Sequence, residues 1–228
     1  MKFFIDTADL DEIREAESWG ILSGVTTNPS LYAKIGGKLA DFEGHMAKIC
    51  ELVGPDVPVS AESTAETTED MIAEGRRLAA IAPNIVVKLP ICEESLPATH
   101  QLAQEGIRVN MTLIFSATQA MLAARAGARY VSPFVGRFDD LGDTGVEHLM
   151  EITTCIKNYD WGWWADEGGC EIISASIRGP QHVVQAGLMG ADIVTVPFGA
   201  LKKCVHHVMT DRGLELFAAD WEKVKAGA

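Results

Sequence analysis

Residues 84–90 read NIVVKLP, an apolar run of Ile85, Val86 and Val87 that meets a single lysine, Lys88. An amine set in such surroundings has a definite chemistry. Desolvation disfavours its charged form, and the neutral amine attacks carbonyls to give a Schiff base. The iminium then draws electrons from a neighbouring C–C bond, which can break and leave an enamine. The route needs no metal and no cofactor. It does need groups that move protons during imine formation and take one from a substrate hydroxyl. Asp6 and Glu62 are available carboxylates, on separate segments that can set them to different tasks.

Other polar residues fall at comparable places. Thr26, Thr27 and Asn28 end one apolar run, and Ser60 and Glu62 another. Asn110 and Thr112 follow, then Ser132 leading to Phe134 and Arg137, then Ser174 and Ser176 leading to Arg178. Each has an ordinary reading when taken singly. A lysine at a strand end snorkels to solvent. Asp6 could cap a helix, Asn28 before Pro29 could make a turn, and Glu62 could simply pair with Lys88. Thr112 could be a plain strand residue, Ser132 and Ser176 satisfied core hydroxyls, and Arg137 and Arg178 surface charges. Their joint placement at one end of successive segments favours a site.

The elements that must position them alternate along the chain. Strand-like runs cover 2–6, 24–27, 57–62, 84–90, 107–114, 129–135, 170–176 and 191–197. Most are continuously apolar, as suits parallel strands buried on both faces. Helical patterns lie between them. Asp9 and Glu12 have capping-box spacing, with Gly20 to end that helix. Leu39, Phe42, Met46, Ile49 and Val53 make one apolar stripe. Residues 68–82, 117–126, 146–156 and 180–188 also read as helices, and Gly106, Gly127 and Gly190 stand where left-handed caps are expected. Eight βα units predict an α/β fold, a (β/α)8 TIM barrel forming a single domain over 1–228, with a C-terminal amphipathic helix over 210–225. In such a barrel the strand ends converge on one mouth, where the polar residues would meet. An open doubly wound sheet is the alternative, but the first strand is not followed by GxGxxG and there is no Walker A motif.

Composition narrows the partners. The formal charge of −13 argues against nucleic acid. No apolar run approaches the ~18–20 residues of a membrane helix. The start, MKFFIDTADLDEI, lacks the apolar core of a signal peptide, so a cytoplasmic location is expected. The five cysteines have no CxxC spacing and read as buried free thiols; the histidines include no HExxH. No metal and no cofactor are expected.

DTADLDEI, GVTTNPSL, VSAE, NIVVKLP, NMTLIFS, SPFVGR and ASIRGP, in this order, resemble the transaldolase family in its short form, with the fructose-6-phosphate-aldolase-like subfamily. The resemblance runs from Lys2 to about Trp221. It implies class I aldolase chemistry with Lys88 as the Schiff-base lysine. It implies that Asp6 takes the proton from the C4 hydroxyl of a bound ketose, and that Glu62 and Thr112 hold the water used in imine formation. Asn28, Asn110, Ser132 and Ser176 would hold the dihydroxyacetone hydroxyls, with Thr26 and Phe134 beside them. Arg137 and Arg178 would clamp the phosphate of a sugar-phosphate substrate, to which guanidinium forks are suited. The implied reaction moves a dihydroxyacetone unit from sedoheptulose 7-phosphate to glyceraldehyde 3-phosphate.

The rival is an aldolase that releases free dihydroxyacetone. Such relatives carry glutamine in place of Glu62 and tyrosine in place of Phe134, so both residues here favour transfer. A sulfosugar donor stays open, since the arginines would also hold a sulfonate. So does a non-catalytic sugar-phosphate-binding barrel, which would need no reactive lysine. One departure is Gly179, where the family often has a basic or polar residue. Another is DWGWWADEGG, 160–169, expected on the bottom face in a packing or subunit-contact role, or as a contact to a substrate or partner. The resemblance also implies a homo-oligomer, a pentamer or a decamer of two pentamers, built with the C-terminal helix.

Overall fold

The apolar runs become eight parallel strands: β1 (Lys2–Asp6), β2 (Leu22–Thr26), β3 (Val59–Glu62), β4 (Ile85–Pro90), β5 (Val109–Ile114), β6 (Tyr130–Pro133), β7 (Glu171–Ser174) and β8 (Ile193–Val196). Each pairs with the next, and β8 closes on β1, Lys2 opposite Ile193. The computed structural model describes residues 1–227. Its helices are α1 (Leu10–Ser18), α2 (Pro29–Lys34), α3 (Phe42–Val53), α4 (Thr68–Ala79), α5 (Ser95–Gln104), α6 (Ala117–Ala126), α7 (Val135–Asp140), α8 (Gly145–Lys157), α9 (Pro180–Leu188), α10 (Phe198–Val205) and α11 (Val208–Lys225). This is the expected (β/α)8 TIM barrel.

Strand alternation sorts the side chains into two sets. Ile5, Val25, Val59, Val87, Met111, Val131, Ile172 and Val194 belong to the large core under the helices. The residues between them point into the barrel. Phe4, Val86, Tyr130, Ile173 and Ile193 form a separate apolar cluster there, with Phe4 edge-on to Tyr130 at 6.5 Å. Gly24 makes room for it: a Cβ would lie 2.3 Å from the Phe4 ring. One inward step nearer the strands' C-terminal ends, the layer turns polar. Asp6, Thr26, Lys88, Asn110, Ser132 and Thr195 occupy it.

The helix signals hold with local corrections. Asp9 caps α1, accepting from the N–H groups of Asp11 and Glu12. Glu12 does not reach back to the cap residue's own N–H; its carboxylate accepts from the Thr7 hydroxyl, and that hydroxyl accepts from Asp9 N–H. Met46, Ile49 and Cys50 bury the stripe of α3, but Leu39 is 89% exposed on a separate 3₁₀ turn. Gly106, Gly127 and Gly190 adopt positive φ, as expected. Helices α2, α5, α7 and α10 arise where the sequence signal is weak.

The Trp-rich segment lies at the N-terminal ends of β6 and β7, opposite the mouth, and folds back on its own barrel. Trp161, Trp163 and Trp164 donate their indole N–H groups to the carbonyls of Ile156, Arg125 and Gly127. The buried Arg129 guanidinium ties it down, donating to the carbonyls of Glu167 and Gly169 and to the Glu171 carboxylate. α11 behaves differently. None of its residues is buried, and Leu214, Phe217 and Trp221 stand exposed. No described helix is long and apolar enough to cross a membrane. The cysteines are free, but only Cys50 is buried, Cys92, Cys155 and Cys170 are half-buried, and Cys204 is exposed, contrary to the expectation of buried thiols.

Candidate active site

The C-terminal ends of the strands open on a cavity of about 460 Å³. Lys88 reaches into it from β4, a strand otherwise buried in apolar surroundings, and is 4% exposed. Its Nζ lies 3.0 Å from Glu62 Oε2 and donates to the Thr27 carbonyl at 3.0 Å. Glu62 is its registered partner on β3, and Asn110 its partner on β5.

Asp6 stands across the cavity on β1. Burial pushes its carboxyl above the ordinary aspartate range, and Glu62 adds to the rise; Lys88, the Thr26 hydroxyl and Lys34 oppose it. Thr26 donates to Asp6 Oδ1 at 2.8 Å. The Thr26 oxygen also lies 2.6 Å from the hydroxyl of Thr195 on β8.

Asn28 lines the cavity and also caps α2, its Oδ1 accepting from Leu31 N–H. Asn110 is fully buried and lies beneath the cavity lining. It accepts from Ser132 Oγ at 2.7 Å and donates to Ser60 Oγ at 3.2 Å, a polar chain across β6, β5 and β3. Thr112 lines the wall, and its buried hydroxyl has no partner among the described residues.

The rim carries the arginines. The Arg137 guanidinium sits 5.5 Å from the Phe134 ring centroid and forms no ion pair among the described residues. Arg178 is paired, with Nη2 2.5 Å and Nε 3.4 Å from the Asp140 carboxylate, which holds that carboxyl below its usual range. Gly136 permits this arrangement: a Cβ there would lie 2.1 Å from the Ser176 carbonyl oxygen. Two non-glycine residues with left-handed backbones, Leu113 and Ser176, line the same mouth. Such strain concentrates at functional sites.

Eleven of the twelve residues to which the resemblance assigns a role line this one cavity, and Asn110 supports them from beneath; Thr27, Ser60 and Ser174 do not line it. Lys34 and Thr195 also line it, and sequence reasoning misses both. Thr195 hides in the run Ile193-Val194-Thr195-Val196, where a threonine looks like any β-branched strand residue. Its inward phase is the one signal that could have found it.

Fold and cavity together define a TIM-barrel protein with a lysine-centred polar mouth. Residues 3–227 match the family model described as Transaldolase/Fructose-6-phosphate aldolase. The chain belongs to that family. A protein of Thermus thermophilus named "Probable transaldolase" is 55% identical, over 99% of this chain and all of its own. Proteins bearing the same name from Caldicellulosiruptor saccharolyticus and Syntrophobacter fumaroxidans are 53% and 52% identical, each over at least 98% of both chains. A designed cube-shaped protein cage made by fusing symmetric oligomeric domains superposes with a TM-score of 0.59 at 12% identity, covering 99% of this chain and 78% of its own, a likeness of fold alone.

Proposed function

We propose that the protein is a transaldolase that carries a dihydroxyacetone unit between sugar phosphates of the pentose phosphate pathway, held as a Schiff base on Lys88. The observation that carries this reading is the buried Lys88 Nζ, 3.0 Å from the Glu62 carboxylate in a cavity that Asp6 also lines. The amine attacks the ketose carbonyl. Glu62 and Thr112 hold a water between them that relays protons as the carbinolamine loses hydroxide; the unpartnered Thr112 hydroxyl supports this role. Asp6 takes the C4 hydroxyl proton as the C3–C4 bond breaks, and its raised pKa suits a group that must return that proton to the acceptor aldehyde. Asn28, Ser132 and Ser176 hold the three-carbon hydroxyls beside Thr26 and Phe134, with Asn110 fixing Ser132 from beneath. Arg137 and Arg178 take the phosphate.

Full-length relatives named for the transaldolase activity support the transfer. So do Glu62 and Phe134, since phenylalanine offers no hydroxyl to protonate the enamine. The exposed apolar face of α11 supports assembly into a homo-oligomer, by resemblance a pentamer or decamer. A cytoplasmic location fits this metabolism.

The test is release of glyceraldehyde 3-phosphate from fructose 6-phosphate, with and without erythrose 4-phosphate. Release that depends on the acceptor supports transfer. Equal release with accumulating dihydroxyacetone means an aldolase. Silence in both directs the search to sulfosugar donors or to a non-catalytic binding barrel.

A further inference from the structure

We infer that Thr195 is a positioning residue for Asp6, acting through the hydroxyl of Thr26. The three residues lie on β8, β2 and β1, the strands that meet where the barrel closes, and all point inward. Thr26 Oγ1 is 2.8 Å from Asp6 Oδ1, and Thr195 Oγ1 is 2.6 Å from Thr26 Oγ1. Both threonines are 2% exposed.

The direction of the chain follows from donor counting. An ionised carboxylate only accepts, and a threonine has one hydroxyl proton. When Asp6 is ionised, Thr26 must spend that proton on Asp6, so Thr195 must donate to Thr26. When Asp6 holds a proton, the order can reverse: Asp6 donates to Thr26, and Thr26 donates to Thr195. Only the two hydroxyls turn, and no proton leaves the set. The pair therefore gives Asp6 a hydrogen-bond partner in both states it needs, as base and then as acid.

The two states do not depend on Thr195 equally. Bonds to a charged group are the stronger ones, and a donor behind Thr26 polarises its bond further. Removing the Thr195 hydroxyl thus weakens the ionised state of Asp6 more than the neutral one. Lys88, Glu62 and Lys34 also face Asp6, from β4, β3 and α2, and stay in place.

This inference rests on Asp6 being the base of the proposed reaction, and the experiment separates the two claims. The variants are Thr195→Val, which keeps the shape and loses the hydroxyl, Thr195→Ser, which restores it, and Asp6→Asn. The readouts are the Asp6 carboxyl ¹³C titration of the free protein and the pH profile of kcat. Thr195→Val should move the Asp6 midpoint up by roughly a few tenths of a pH unit. The acid limb of kcat should move up with it, kcat should fall about three- to tenfold, and KM should stay. Thr195→Ser should restore both. An unchanged midpoint and acid limb in Thr195→Val, with Asp6→Asn inactive, overturns the role of Thr195 alone. An active Asp6→Asn overturns Asp6 as the base, while the carboxyl titration still decides whether Thr195 sets its state.

Discussion

Glu62 and Lys88 are registered partners on adjacent parallel strands, and their charged ends meet at 3.0 Å inside the cavity. The pair is buried enough that neither end can be changed without consequence for the other. Glu62→Gln keeps the shape and removes the charge and the exchangeable proton. Transfer should fall by about 10²–10⁴-fold. The fraction of cleaved ketose appearing as free dihydroxyacetone should rise, as product analysis with and without acceptor would show. Unchanged transfer would remove Glu62 from the proton path.

Lys88→Met should remove the covalent adduct altogether. Borohydride added with fructose 6-phosphate should fix a three-carbon increment on the Lys88 peptide of the native chain and none on the variant. Activity should fall by about 10⁴-fold or more. An adduct on any other lysine, read by peptide mass, contradicts the assignment.

Asp6→Asn should cost activity and gain stability. The folded chain holds the Asp6 proton more tightly than the unfolded chain, because burial raises this carboxyl. The stability linked to that proton is fully present below the unfolded value of about 3.9 and is lost as pH rises through the raised folded value. The buried Asp6 carboxyl is therefore a burden at neutral pH, and asparagine lifts it. Thermal melts should show the variant's Tm exceeding the native one at pH 7, by a margin that shrinks near pH 3.5. A margin that grows on acidification would reverse the sign of the argument.

Gly136→Ala sets two effects against each other. Alanine favours the helical backbone of α7 by about 1 kcal/mol. The added Cβ would overlap the Ser176 carbonyl oxygen at 2.1 Å and crowd Arg178 Cγ at 3.0 Å. The carbonyl is backbone and cannot turn aside, so overlap wins. The variant should lose about 1–3 kcal/mol in urea unfolding and bind phosphorylated substrates more weakly, with little change toward unphosphorylated acceptors.

Arg129→Met should damage the fold and spare the chemistry. It leaves Glu171 with only its exposed partner Lys2 and frees the carbonyls of Glu167 and Gly169. Loss of one partner of a buried charge network costs about 3–5 kcal/mol. Denaturant titration should show that loss, while kcat per folded molecule stays near the native value. A large kcat effect would mean the bottom face communicates with the mouth.

The strands are legible in the sequence because both faces are covered, which leaves long apolar runs that few other structures require. Their ends are less so. The sixth run reads on to Val135, but Val135 turns into α7, and the seventh reads on to Ser176, whose left-handed backbone leaves the ladder. α5 escapes because Pro97 sits inside SLPATHQLAQ, and α7 because VGRFDD carries a glycine and two acids. The site is legible wherever polar residues interrupt apolar runs. Thr195 and Lys34 escape, one resembling its β-branched neighbours and the other lying on a helix rather than a strand.

The closure of β8 on β1 joins residues as far apart as Lys2 and Ile193, and it is the last pairing a growing chain can make. On the ribosome, Asp6, Glu62 and Lys88 all emerge long before Thr195. A nascent chain can therefore hold Asp6, Glu62 and Lys88 while its ring is still open to water. The ring of strands around the mouth is complete only when the eighth arrives, so the walls of the cavity are finished by one of the last elements to be made.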